Sequence, residues 1–274
     1  MKFWRSPYWC WLWPLLLLAV LAALLPWLAP YEANQVVDGG WAPPSAQSWL
    51  GTDNLGRDLL FRLLWGAQTT LGIALAATLL AFVFGAGLGL WAGVRGGRFD
   101  RCASWLNNVF LSIPTLVFAL VVLAWVPASV LSLTLLLGFL ESLRIFRVSR
   151  ALAQDRAELD YVQVAHLRGE STAWIIVREI LPNIALPLLA EFGLRLVFAI
   201  LLIASLSFLG LGLPPPATDW GSIAKENRDG ILFGVWAALV PGAVIASMAL
   251  LIHRVVERIS ERRSARLRGD IPTP

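Results

Sequence analysis

Long apolar stretches, ended by Pro, Gly or clustered charge, dominate the pattern of this chain. A helix that crosses a bilayer needs about 20 mostly apolar residues. Six runs have that character: Trp9 to Ala29, Thr69 to Val94, Trp105 to Val126, Ser129 to Phe146, Ala185 to Leu209 and Leu232 to Ile252. Only Pro127 and Ala128 divide the third run from the fourth, a turn so short that the two helices are expected to be antiparallel neighbours. None of the runs alternates over roughly ten residues as a barrel strand does. The pattern therefore predicts an all-α, polytopic membrane protein with six transmembrane helices.

Composition agrees. Of 274 residues, 58% are hydrophobic and 15% charged, where a soluble domain carries about 25% charged residues. The net charge of +4 does not point to nucleic acid, because basic residues in such a chain first set topology. Lys2, Arg5, Arg95, Arg98, Arg101, the Arg144 to Arg178 group and the Arg254 to Arg268 group fall on one side. Arg57, Arg62, Lys225 and Arg228 fall on the other, and Arg195 lies inside the fifth run. By the positive-inside rule both termini are cytoplasmic. The first run exceeds the 7–15 residues of a typical signal-peptide core and is flanked by Trp, so it is expected to be retained as a span. Trp65, Trp91, Trp105 and Trp125 fall near span ends, where indoles anchor at the interface. Cys10, Cys102, His166 and His253 match no disulfide or metal pattern.

The expected organisation is an N-terminal helix and periplasmic segment (1–66), a core of five helices (67–254) and a basic cytoplasmic tail (255–274). Within the core, residues 147–183 form a long cytoplasmic segment. Asp160 to Arg168 reads as a helix, Gly169 suits the left-handed position after it, and Ser171 can cap a second helix that Pro182 closes. Such a hairpin either docks into a cleft on a cytoplasmic partner or packs under its own bundle. Ala77, Ala81, Gly85, Gly89 and Gly93 recur every four residues on the second span, which predicts a close helix-packing seam. Glu191 and Arg195, four apart, are expected to pair, and Glu141 stands one turn before Arg144. The Glu191 and Arg195 pair is either on a water-accessible pathway or a local ion pair; for Glu141 the local pair is preferred. Asp53 to Arg62 is expected to form a short interfacial helix capped by Thr52 or Asp53.

These residues carry a resemblance. Asp160-Tyr161-Val162-Gln163-Val164-Ala165, Gly169 and Leu181-Pro182-Asn183 resemble the EAA loop of the permease subunits of bacterial ABC importers. Leu50 to Asp58, Gly93 to Asp100, Arg147 with Arg150, and Ser205 to Gly212 with Trp220-Gly221 match in order the dipeptide, oligopeptide and nickel permease family, of the DppC or OppC type. The loop departs from the pattern at Gln163, Val164 and Glu179, and Ile203 and Ala204 replace an acid usually found ahead of Ser205.

The resemblance implies a type I ABC importer permease fold in the bacterial inner membrane. It also implies four kinds of partner: a homologous DppB or OppB type permease, two ATP-binding subunits, a periplasmic or lipid-anchored substrate-binding protein, and membrane lipid. Gln163, Val164, Ala165, Leu167, Arg168 and Gly169 are the expected contacts to an ATPase. Glu191, Arg195, Ser205 and Ser207 are the pathway candidates. Neither Lys2 nor Lys225 lies in a phosphate-binding G-x-x-x-x-G-K-[ST] context, so the chain is expected to be no enzyme and to hold no cofactor, ATP and Mg being bound by its partners. Di- and oligopeptides are the expected substrate, with nickel or a metal chelate as the alternative. A self-sufficient secondary transporter or channel is the rival of another class, and it would normally show an internal repeat, which this sequence lacks.

Overall fold

The computed structural model describes residues 34–267, which are helical apart from turns and two isolated bridges, Val36 with Arg57 and Thr52 with Asp58. In chain order the helices are α1 (Leu59–Ala81), α2 (Gly87–Arg95), α3 (Gly97–Leu111), α4 (Thr115–Trp125), α5 (Val130–Ala157), α6 (Asp160–Leu167), α7 (Thr172–Ile175), α8 (Leu181–Phe208), α9 (Trp220–Asn227) and α10 (Val240–Leu267). Five-residue π-turns, Phe82–Ala86 and Ile176–Ile180, join α1 to α2 and α7 to α8, so that Leu59–Arg95 and Thr172–Phe208 are each continuous over 37 residues. Short 3₁₀ segments, Arg228–Phe233 and Trp236–Ala238, precede α10.

Among the described residues, three helices are long and apolar enough to cross a membrane: Leu59–Arg95, Thr172–Phe208 and Trp236–Arg258. The pair α3 and α4 adds a fourth candidate, bent by 82°. The first expected span, Trp9 to Ala29, lies outside the described residues, and α5 carries Glu141, Arg144 and Arg147 along its length. The six-span expectation is compatible with this set.

Three local expectations are corrected. The third span is not one straight helix: Pro114 has no N–H and restricts the residue before it, so the helix stops at Leu111 and restarts at Thr115. Asp53 to Arg62 is not a separate helix. Gly56 has φ +79° and the Asp53 carboxylate accepts from the Leu55 and Arg57 N–H groups, which closes a turn. The helix begins at Leu59, where Asp58 caps it by accepting from Phe61 N–H at 3.1 Å. Pro182 likewise closes nothing. The π-turn before it shifts the bonding register, Leu181 N–H reaching back to Ile176 C=O, and Asn183 Nδ2 donates to Glu179 C=O at 2.6 Å, so the helix absorbs a residue that lacks a donor.

The chain divides into two compact units. One comprises Leu75–Trp125 and Leu131–Ala199. Its organising contact is the expected small-residue seam between the Leu59–Arg95 helix and α5. Ala77, Ala81, Gly85, Gly89 and Gly93 are all buried. A Cβ on Gly85 would stand 2.5 Å from Ser142 C=O, one on Gly89 2.5 Å from Phe146 C=O, and one on Gly93 2.7 Å from the Ala153 Cβ. Gly138 answers from α5, facing Ala77 and Leu80. Only hydrogen at these positions lets the backbones meet, which is how helices associate where lipid is as apolar as leucine.

Of the described residues, the other unit comprises 34–74, Val126–Val130 and 200–267. Here Trp220, 2% exposed, seats α9 by donating from Nε1 to Leu63 C=O at 2.9 Å and from its N–H to Thr70 Oγ1 at 3.2 Å. Gly221 lies against α8 so closely that a Cβ would stand 2.3 Å from Ala204 C=O.

Candidate coupling hairpin and charged clusters

The hairpin takes its shape from its turn. After α6, Gly169 adopts φ +81°; its N–H donates to His166 C=O at 2.9 Å, and Glu170 N–H donates to Ala165 C=O at 3.2 Å. This pair of bonds is a Schellman motif, and it uses the left-handed conformation that glycine adopts without strain. Ser171 then caps the next helix, its Oγ accepting from Trp174 N–H at 3.2 Å. Both features follow the sequence expectation.

One face of the hairpin is locked and the other is open. Val162 and Ala165 are fully buried, packing with Leu90, Ala153, Ile175, Ile180 and Ile184 in one apolar cluster. Of the six expected coupling residues, Ala165 therefore points inward, while Gln163, Val164, Leu167, Arg168 and Gly169 are exposed. Leu167 is 86% exposed, which leaves a large apolar side chain without cover at the tip of an ordered element. Sequence reasoning missed three contacts of the hairpin. Tyr161 accepts from Asn183 Nδ2 at 3.4 Å, Trp174 lies under the Arg168 guanidinium at 5.8 Å, and Glu179 faces Arg168 at 3.8 Å. The departure of Glu179 from the loop pattern was the visible signal for the last.

Deeper in the same unit, Arg195 is held between two carboxylates. Its Nε lies 2.8 Å from Glu191 Oε1, the expected pairing along α8, and its Nη1 donates to Glu141 Oε2 of α5 at 3.1 Å. The expectation that Glu141 pairs with Arg144 is corrected. Arg144 instead donates to Thr115 Oγ1 at 2.9 Å, and both arginines lie over the Phe198 ring. Glu141 is 1% exposed and points across the helix interface, where the guanidinium it meets is that of Arg195. A second bridge joins α3 to α5: Arg150 donates from Nη2 to Asp100 Oδ2 at 2.6 Å and from Nε to Oδ1. It unites two stretches that the sequence offered separately.

The other pathway candidates lie in the other unit. Ser205 is exposed and donates to Leu201 C=O at 2.7 Å, whereas Ser207 is buried. That unit also holds a four-charge network that sequence reasoning did not find. Asp53 Oδ2 accepts from Arg57 Nε at 2.6 Å and from Arg62 Nη1 at 2.5 Å, and Glu226 Oε2 accepts from Arg62 Nη1 at 2.8 Å and from Arg57 Nη2. Asn227 Oδ1 adds acceptance from Asn54 N–H at 3.0 Å and from Trp41 Nε1 at 3.3 Å. Together they fasten the Leu50 to Asp58 stretch to α9. The spacing of Asp53 and Arg57 was a sequence signal, but Glu226 lies 169 residues beyond Arg57 and gave none. At the start of α9, Asp219 accepts from the Gly221 and Ser222 N–H groups, and burial raises its carboxyl above the ordinary value more than these bonds lower it.

A helical bundle with small-residue seams and a helix-turn-helix that presents uncovered apolar side chains is an architecture that a transport permease can use. Residues 85–264 match the family described as binding-protein-dependent transport system inner membrane component. The chain belongs to that family, whose members are the membrane-spanning permease subunits of ABC transporters and work with ATPase and permease partners. It is 37% identical over 256 residues to a putative peptide transport system permease protein of Brucella suis, covering 93% of this chain and 86% of that one. It is 32% identical to the di/tripeptide transport system permease protein DppC of Pseudomonas aeruginosa, again covering 93% and 86%. The peptide transport system permease protein SapC of Escherichia coli is 36% identical, with 86% and 82% covered. In fold, the chain is similar to one from the methionine ABC transporter MetNI in inward-facing conformations, with TM-score 0.59, 17% identity, and 74% and 97% covered. The DppC or OppC resemblance and the permease fold are thereby borne out.

Proposed function

We propose that this chain and a second, homologous permease form the translocation pathway of an ATP-driven importer of di- and oligopeptides in the bacterial inner membrane. Both termini are cytoplasmic in this reading. Two ATP-binding subunits supply the energy, a substrate-binding protein delivers the peptide, and this chain binds no nucleotide itself. The observation that carries the proposal is the two-faced hairpin. Val162 and Ala165 fix it to the helical core while Val164 and Leu167 stand uncovered, as a docking element requires. Gln163, Arg168 and Gly169 complete the contact to the ATPase, and Ala165 supports it from within. A push on α6 is carried through Ile175 and Ile180 into α8, whose Arg195 is paired with Glu191 of the same helix and Glu141 of α5.

Of the pathway candidates, Ser205 is open to a passing solute, and Glu191 with Arg195 acts through the ion cluster. Peptide relatives favour peptides over nickel as cargo. The complex reconstituted in proteoliposomes with ATP inside and liganded binding protein outside should accumulate a labelled dipeptide. Transport by the permease pair alone, without ATPases, would instead support a self-sufficient transporter, and accumulation of nickel but no peptide would reverse the choice of cargo.

A further inference from the structure

Between the end of α8 and α9 lies an open cavity of about 500 Å³, lined among others by Ser207, Gly210, Gly212, Pro215, Lys225 and Glu226. This size falls within the roughly 300–1,000 Å³ typical of small-ligand sites. Two of its charged groups have unused capacity. The Lys225 ammonium is half-buried and makes no hydrogen bond or ion pair with another described residue. Glu226 accepts both arginines on Oε2 alone, leaving Oε1 open among the described residues. The other lining cation, Arg228, is already paired with Asp229 at 3.3 Å.

The ammonium lies over a glycine turn. Gly210 has φ +93°, a turn conformation that glycine adopts without strain, and the flexible end of the Lys225 side chain lies over it, its Nζ 2.5 Å from where a Cβ would stand. A half-buried ammonium without a counter-ion is costly, and a carboxylate is the ligand that offsets the cost with charge-assisted hydrogen bonds. A recessed cavity that holds, among the described residues, one unpaired cation beside one open carboxylate oxygen complements a small zwitterion.

We propose that this cavity binds the two ends of a short peptide, its C-terminal carboxylate on Lys225 Nζ and its amino group on Glu226 Oε1. The permease would then recognise main-chain termini and ignore side chains. The inference rests on the peptide-importer reading above and extends it to a site in this chain.

The test titrates the full complex of permeases and ATPases, without binding protein, with L-alanyl-L-alanine and with its C-terminal amide. Lys225→Gln should weaken dialanine binding on the order of tenfold, the loss expected for one charge-assisted bond. Lys225→Arg should keep most of it, and the amide should bind weakly and alike to all forms. Equal binding of dialanine and its amide, or no change in Lys225→Gln, overturns the site. If Lys225→Gln instead raises the binding-protein concentration needed to stimulate ATP hydrolysis while the titration is unmoved, the ammonium meets a protein carboxylate, which also overturns it. Dialanine uptake by the wild-type complex with a titration indifferent to Lys225 leaves the importer reading standing. A Lys225-dependent titration without uptake removes the importer reading and keeps the site.

Discussion

Glu141 of α5 accepts a hydrogen bond from Arg195 of α8 at 3.1 Å, across 54 residues of sequence, with 1% and 7% of the two residues exposed. These helices flank the hairpin on either side in the chain, and the pair ties them together where they pack. Breaking a buried pair by removing one partner costs about 3–5 kcal/mol, because the other charge is left uncompensated, whereas replacing both with apolar groups is often neutral. Arg195→Met should therefore lower the thermal stability of the purified complex markedly. Glu141→Gln should lower it less, since Glu191 still faces the arginine, and Glu141→Leu with Glu191→Leu and Arg195→Met should recover stability without recovering transport. Full transport in the triple variant would mean that the cluster only holds the bundle together.

Gly169→Val should separate ATP hydrolysis from uptake in proteoliposomes while leaving the protein inserted. The Cβ at this position meets nothing within 4 Å, so the effect is conformational: φ +81° costs a non-glycine residue about 1–3 kcal/mol, and β-branching worsens it. Gly169→Asn, which tolerates the left-handed region, should behave nearly as wild type. Normal uptake with Gly169→Val would show that the turn does not shape the docking surface.

Gly89→Ala tests the seam in the Leu59–Arg95 helix. A Cβ placed 2.5 Å from Phe146 C=O forces the helices apart, and overpacking of this kind costs about 1–3 kcal/mol. Gly87, whose Cβ would meet nothing within 4 Å, provides the control: Gly87→Ala should be silent. Comparable melting temperatures for the two variants would remove the argument for close approach.

The Asp219 carboxyl has its pKa raised by burial, so its contribution to stability is present at low pH and is lost as pH rises through the raised value. Asp219→Asn keeps the cap, since asparagine accepts from the same N–H groups, and should flatten the fall in stability above the ordinary aspartate range. Melting curves of both proteins across that range check the sign. A fall of equal slope in the variant would place its origin elsewhere.

A reporter fused after Arg268 should report the cytoplasm, and one inserted near Asp219 the periplasm. Cys102 is exposed at the start of α3 and should resist an impermeant thiol reagent applied to intact cells, while a cysteine at Asp38 should react. Labelling of Cys102 from outside would invert the topology and move the hairpin away from any cytoplasmic ATPase.

The sequence by itself determined what is local or periodic. Apolar run lengths located the long helices Leu59–Arg95, Thr172–Phe208 and Trp236–Arg258, the four-residue recurrence from Ala77 to Gly93 marked the face on which helices meet, and Gly169 with Ser171 drew the turn of the hairpin. Each rests on residues that satisfy one another within a turn or two of the chain, or on a repeat of the helix itself. Tertiary structure decided which partner each buried charge takes. Glu141 has Arg144 within reach along its own helix, yet the face it shares with α8 removes it from water, and the guanidinium that meets it there is Arg195. In the same way Arg57 and Arg62 find Glu226 only once α9 folds back beside them. A charge buried at an interface must be matched by whatever stands across it, and that choice is set by packing, which sequence spacing does not encode.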